Sequence, residues 1–500
     1  MFVSRGPGLT PMLPNDQCVV PDTRQRQLLL AVIIGVTCCL FIIEQFLIAK
    51  VNDWWVDELF ALWASDRNFS FTELFYTRIA SDSNPPLFFS LLHFARLVIV
   101  EDRIAVVVLN TLGLAVAAAA LLAMSWRSRM REWIALSVAL FVLGGPVAAY
   151  VPEARSYCLA MTISYVAVVF AALAVLEKER PRSHVLFVLV GVIAALSHVF
   201  AALLCCAVAA GMFGCGVLFR NSKLTLRSLT LLASTVASSL IWIALWLRLG
   251  PGTLAQVNWI PFTAAFVWES GLGALDLTYG TPWLALAFVG VLITAGSYRL
   301  ARAPALLVGV SAAAFIVAPI LISFRVPIIV ARYWLVGSPL FLASVGLLMG
   351  SWRSGRPALV LMAVATVLVI VGMPLSFRAA YHFVAQKPVW SSVPKVKAQL
   401  AGCGPNTIHV LGFMPGFSIM TGAPDSTFVD ARTLAEDTRP ATITCSILGW
   451  SEHYVLRYGP DYTSRATPTE LLKLLKLAYN PHDVVIDRHK SGFVVTRARN

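Results

Sequence analysis

The sequence predicts an all-α polytopic membrane protein of about eleven spans, followed by a small soluble α/β domain. Three observations carry that prediction. Hydrophobic residues make up 58% of the 500 residues and charged residues only 13%. The mean hydropathy of +0.76 is far above that of a water-soluble chain of this length. The apolar residues also come in long blocks separated by short basic stretches, until the pattern changes near residue 377.

The predicted spans are 28–50, 104–124, 133–150, 157–176, 184–197, 199–219, 227–249, 282–298, 303–323, 331–350 and 357–376. The run from 184 to 219 would make a helix of about 54 Å, too long for one crossing of roughly 30 Å. Ser197-His198 is therefore read as a turn between two spans. The first apolar run reads as an uncleaved anchor, because it starts well inside the chain and is long enough to span. Residues 85–100, PPLFFSLLHFARLVIV, are shorter than a span needs and contain His93 and Arg96. If they do not cross, every basic short loop falls on the side of the N-terminus. These are the loops with Arg24/Arg26, Arg127/Arg129/Arg131, Lys178/Arg180/Arg182, Arg220/Lys223/Arg227, Arg299/Arg302 and Arg353/Arg356. The positive-inside rule then sets a cytoplasmic tail 1–27, a membrane domain 28–376 with a first outer loop 51–103, and a non-cytoplasmic domain 377–500.

The net charge of +13 is explained by these topogenic loops, so nucleic acid is not expected as a partner; the lipid bilayer is. Six of the nine cysteines, Cys38, Cys39, Cys158, Cys205, Cys206 and Cys215, lie in apolar runs and read as small core residues. The C-terminal part has short apolar runs at Thr407–Phe413, His453–Arg457, Val484–Asp487 and Gly492–Thr496, with an amphipathic stretch Thr469–Ala478 between them. Its two cysteines, Cys403 and Cys445, are either a disulfide or two free thiols, since spacing does not decide pairing.

On the predicted outer face, polar residues gather near span ends. They are Asp53, Asp57, Glu58, Asp82 and Asn84; Glu153, Arg155 and Tyr157 in PEARSY; His198; Arg325 in SFRVP; and Arg332-Tyr333 in ARYW. A carboxylate can take the proton from an attacking hydroxyl. Arginines can hold a lipid-linked phosphate and stabilise its charge as it leaves. Each residue also has a plainer reading. Asp57-Glu58 suits a solvated pair or a helix N-cap, Asn84-Pro85-Pro86 a helix start, and His198 a turn. The arginines suit interfacial anchors whose stems lie along apolar surface. What favours the chemical reading is that an independent topology argument places all of them on one side.

The order of these motifs resembles the GT-C fold glycosyltransferases that use polyprenyl-phosphate sugars. Within that group it is similar to the protein O-mannosyltransferase and lipid A aminoarabinose transferase branch (glycosyltransferase family 39-like), including bacterial lipopolysaccharide-core relatives. The matching pieces are Asp57-Glu58, Asp82-Ser83-Asn84-Pro85-Pro86-Leu87, Arg155-Ser156-Tyr157 and Arg332-Tyr333. The resemblance covers residues 28–376 and implies an inverting transfer from a polyprenyl-phosphate sugar to a lipid, glycan or protein acceptor. It implies Asp57 as base or acceptor-positioning group, with Glu58 supporting. The donor phosphate would then meet Arg155, Tyr157, Arg325, Arg332 and Tyr333, and the cavity would include Asp82, Asn84 and His198. Two positions depart from the family pattern: Asn84 stands where a D-x-H-P-P element has histidine, and Trp334-Leu335 follow Arg332-Tyr333, with Pro339 further on. A divalent cation on Asp57, Glu58 or Asp82 suits the residue types, although no cofactor is established. The implied location is a bacterial inner membrane with the site facing the periplasm. Loop 250–281, with Trp259, Phe262, Phe266, Trp268 and Tyr279, reads as a lid, an acceptor platform or an interfacial aromatic belt. A transporter or flippase of a lipid-linked sugar, and a non-catalytic scaffold, are the competing readings.

Overall fold

The computed structural model describes residues 23–52, 54, 56–80, 84–125, 131–176, 183–249, 263–279, 302–325, 328–329, 331–340 and 371–385, and five strands between 409 and 497. Helices dominate because apolar runs in lipid must satisfy their backbone groups within the segment. Six described helices are long and apolar enough to cross a membrane, so this is a multi-pass membrane protein. They are α1 (Thr23–Ala49), α5 (Asp102–Ser125), α8 (Tyr157–Leu176), α10 (Val199–Leu218), α11 (Ser222–Leu249) and α13 (Arg302–Ser323). Shorter helices lie between them. These are α2 (Val56–Ala64), α3 (Phe71–Leu74), α4 (Leu87–Val98), α6 (Arg131–Val142), α7 (Gly145–Tyr150), α9 (Ser183–Ser197), α12 (Ala264–Tyr279) and α14 (Ala331–Trp334). Residues 371–385 form a further helix, α15. The expected span 282–298 and most of 331–350 and 357–376 fall outside the described residues.

α8 is the central helix: nearly every side chain from Tyr157 to Ala174 is buried. α1 and α11 keep wide apolar faces exposed, through Leu40 and Phe46 on one and Leu240 and Leu247 on the other, as lipid-facing helices do. α10 packs between α8, α9, α11 and α13, and glycine allows the close approaches. A Cβ at Gly211 would collide with Ser311 and Leu307 of α13, and one at Gly191 with Ser234 and Thr235 of α11. Between α10 and α11 the Asn221 N–H bonds to Gly216 O (2.7 Å) and the Arg220 N–H to Val217 O (3.2 Å). This Schellman turn needs a left-handed residue, and Arg220 takes that place at φ 50°.

One expected span is corrected. Residues 133–150 are not one continuous helix, because α6 ends before Gly144-Gly145-Pro146 and α7 begins again at Gly145. Gly144 is extended, and proline tolerates only the first turn of the new helix. The break serves packing. The Gly145 N–H donates to Ser376 Oγ on α15 (2.9 Å), and that hydroxyl donates to Leu277 O on α12 (2.7 Å). Loop 250–281, expected as a lid, an acceptor platform or an aromatic belt, contains helix α12, tied into the bundle through Leu277.

The segment expected as the first outer loop folds into its own small core. α2, α3 with the π turn Phe75–Ile79, and α4 bury Ala61, Leu62, Leu74, Ile79, Phe88 and Leu92 against one another. Ser70 caps α3 through the Glu73 N–H (3.3 Å), a local S-x-x-E signal. At about 18 Å, α4 is too short to cross. Arg96, which argued against a span, has a definite structural task. Its Nη1 donates to the α2 terminal carbonyls of Leu62 and Ser65, while Nε and Nη2 clasp Asp102 at 2.9 and 3.2 Å. Arg78 similarly donates to Trp63 O (2.7 Å) and lies over the Trp63 and Phe69 rings. Two cations thus close the carbonyl end of α2, where the helix dipole favours positive charge.

The C-terminal part contains two sheets. β1 (His409–Leu411) and β2 (Phe428–Asp430) are parallel. β3 (Cys445–Gly449), β5 (Gly492–Arg497) and β4 (Val484–His489) form an antiparallel sheet with β5 in the centre. The runs at 407–413, 484–487 and 492–496 were legible as strands; β2 and β3 were not singled out. Residues 453–457, the stretch 469–478 and Cys403 fall outside the described residues.

Candidate functional site

Segments far apart in sequence bring five of the expected residues together. The loop after α7 carries Arg155 and leads into Tyr157, the first residue of α8. His198 caps α10, and Arg332-Tyr333 sit in α14. The His198 ring centroid is 5.4 Å from Tyr157 and 5.3 Å from Tyr333, and the two tyrosine rings are 6.0 Å apart. The Arg155 guanidinium stands 6.0 Å from the Tyr157 ring, and that of Arg332 5.8 Å from the Tyr333 ring. Arg155, Tyr157 and His198 are buried, and Arg332 and Tyr333 partly so. The cluster is an aromatic triangle flanked by two guanidinium groups, all at helix ends. Burial first, then the charges of Arg155 and Arg332, push the His198 imidazolium down to about 3.

The loop carrying Arg155 is held from several sides. Asn110, a lone amide within apolar α5, donates to Val151 O (2.9 Å) and Glu153 O (3.2 Å). Asn52 donates to Pro152 O (3.3 Å), and the Arg155 N–H turns back to Glu153 O (2.8 Å). Buried Glu58 accepts the Ala154 N–H at 3.0 Å, and Ala154 itself packs into the first-loop core. Glu58 therefore ties α2 to the Arg155 loop. Asn110, Phe200 and Trp334 were missed as parts of this site. An amide inside a span was a readable signal; the two aromatics lay in apolar runs without one.

The other expected residues stand as follows. Asp57 lies in the first turn of α2, and its side chain is outside the described residues, as are Asp82 and Asp53. Asn84 is partly buried in the bend before α4. Arg325 is exposed in the turn after α13, and no described contact joins it to the cluster. Among the described residues no three His, Cys, Asp or Glu side chains gather as a metal site.

The arrangement of the helices is that of the GT-C fold. The comparison that shows it is ArnT from Cupriavidus metallidurans, in its crystal structure bound to undecaprenyl phosphate and in its apo state. For each the TM-score is 0.53 at 12% identity, with 93% of this chain and 97% of that chain covered. The archaeal oligosaccharyltransferase AglB from Archaeoglobus fulgidus is also similar, at TM-score 0.48 and 10% identity over 93% of this chain and 74% of that one. At such identities the likeness is one of fold, and the ArnT pair carries it. No protein-family model and no curated protein sequence matches this chain.

Proposed function

We propose that this chain is a membrane glycosyltransferase that moves a sugar from a polyprenyl-phosphate donor to a lipid, glycan or protein acceptor. The observation that carries the reading is the convergence of Arg155 and Arg332 on Tyr157, His198 and Tyr333, within the fold of a protein solved with undecaprenyl phosphate bound. In this reading the donor phosphate lies between the two guanidinium groups, which match phosphate oxygens in shape and charge. Tyr157 and Tyr333 wall the phosphate, and Arg325 waits at the outer rim. Asp57 takes the proton of the acceptor hydroxyl as its oxygen attacks the anomeric carbon. The bond from that carbon to the phosphate oxygen breaks with inversion, and the electron pair leaves on the phosphate. The arginines stabilise the added charge, so no general acid is required.

Glu58 acts in this scheme as a positioning residue. Its bond to Ala154 sets the loop from which Arg155 projects, and Asp82 and Asn84 line the acceptor side. A divalent cation would draw on Asp57 or Asp82 before Glu58, whose Oε1 already accepts a backbone N–H. The reading includes a cytoplasmic tail 1–27, a membrane domain 28–376 and a C-terminal domain 377–500 facing the same outer space as the site, in a bacterial inner membrane.

The test uses the purified protein in lipid with a panel of polyprenyl-phosphate sugars, following release of polyprenyl phosphate. Wild type releases it with at least one donor, and Asp57→Asn and Arg332→Ala abolish release while remaining folded. Release that survives Asp57→Asn removes that residue from the mechanism. No release from any donor, with lipid flipping instead, replaces the transferase by a transporter.

A further inference from the structure

His198 is fixed in a manner that a turn residue does not need. Its Nδ1 accepts the Phe200 N–H at 3.1 Å, capping α10. A nitrogen that accepts in this way bears the lone pair, so the ring proton of the neutral imidazole is assigned to Nε2. The ring is 3% exposed and held against Tyr157, Tyr333 and Phe200. The hydrogen bond described for the ring runs through Nδ1, so Nε2–H is the donor it has to offer a ligand. The groups facing the ring are the guanidinium groups of Arg155 and Arg332 and the phenols of Tyr157 and Tyr333, a surrounding that suits an anionic ligand.

Resting on the reading of this cluster as a phosphate site, we propose that His198 is a ligand-contacting residue that donates its Nε2–H to a phosphate oxygen of the polyprenyl phosphate, as an uncharged third donor between Arg155 and Arg332. A neutral donor adds a hydrogen bond without adding a third cation to a pair that already repels one. The charged groups facing it, Arg155 from the loop before α8 and Arg332 from α14, do not titrate in the working range. Tyr157 and Tyr333 face it from α8 and α14. In the ligand-free protein, burial and then the charges of those two arginines push the imidazole down to about 3.

The experiment measures the affinity of the full-length protein in lipid for undecaprenyl phosphate. Three forms are compared: wild type, His198→Ser and His198→Gln. Serine keeps an oxygen able to cap the Phe200 N–H and lacks the distal donor, whereas the glutamine amide reaches toward the position of Nε2. The expected result is a loss of about ten- to a hundredfold in affinity for the serine form, as for a hydrogen bond to a charged group. The glutamine form recovers most of that loss. Serine binding as well as wild type overturns the proposal. Glutamine as weak as serine also overturns it, because the ring would then act through packing alone. Wild type that binds no undecaprenyl phosphate refutes the phosphate-site reading, and the proposal with it.

Discussion

Replacing Glu58 separates a base from a positioning residue. The carboxylate is wholly buried and accepts the Ala154 N–H at 3.0 Å. Glu58→Ala strands that amide in a core made by Leu62, Phe89, Leu92 and Ala154 itself. A buried backbone donor left without an acceptor costs about 1–3 kcal/mol, and a bond to a charged group lies in the upper half of that range. Taking about 2 kcal/mol as the local cost, the segment 151–156 opens about 30-fold more often. Amide hydrogen exchange on peptides covering 151–156 reads that change directly, and polyprenyl-phosphate release reads its consequence for Arg155. Glu58→Gln keeps a carbonyl oxygen in the same place, so exchange stays near wild type and release is largely retained. Equal and complete loss of release in Glu58→Gln and Glu58→Ala, with exchange unchanged in the glutamine form, would refute the positioning role and return Glu58 to the chemistry.

Two further predictions concern stability. Arg220 sits at φ 50° in the Schellman turn between α10 and α11, a conformation that costs a side-chain-bearing residue roughly 1 kcal/mol, so Arg220→Gly raises stability by about that amount in thermal unfolding in lipid. An unchanged or lower midpoint sinks the account. His198 titrates near its ordinary 6.5 when unfolded and only at about 3 when folded. The unfolded chain therefore binds more protons between those values, and the His198 contribution to stability, complete above 6.5, falls as pH drops through the window. The whole window is worth on the order of 5 kcal/mol. A scan of thermal stability against pH should show a shallower acid decline in His198→Ser than in wild type; identical declines would mean that His198 does not contribute.

The periodic and compositional signals made much of the framework legible. The bounds of α8 and the break at Ser197-His198 coincide with the expected ones, because the length of an apolar run and a polar interruption are local properties of the chain. Arg155, Tyr157, His198, Arg332 and Tyr333 stood out for the same reason: polar groups at span ends are costly enough to be conspicuous in an apolar sequence. Their separation into members and non-members of one cluster was not legible. Arg325 resembles Arg332 in the sequence, but it is exposed while Arg332 joins Tyr333 and His198.

Local chemistry thus determined the class of protein, most helix bounds and the candidate residues. The tertiary structure decided what those residues do. Arg96 became the cap of α2 and the clasp of Asp102, Glu58 became the tie to Ala154, and Gly144-Gly145 became a break that seats Ser376 and Leu277. Each of these depends on a partner between 6 and 231 residues away. Hydrophobicity along the chain reports whether a residue leaves water, but the acceptor a buried donor finds depends on which helices pack together. That packing is a property of the whole bundle.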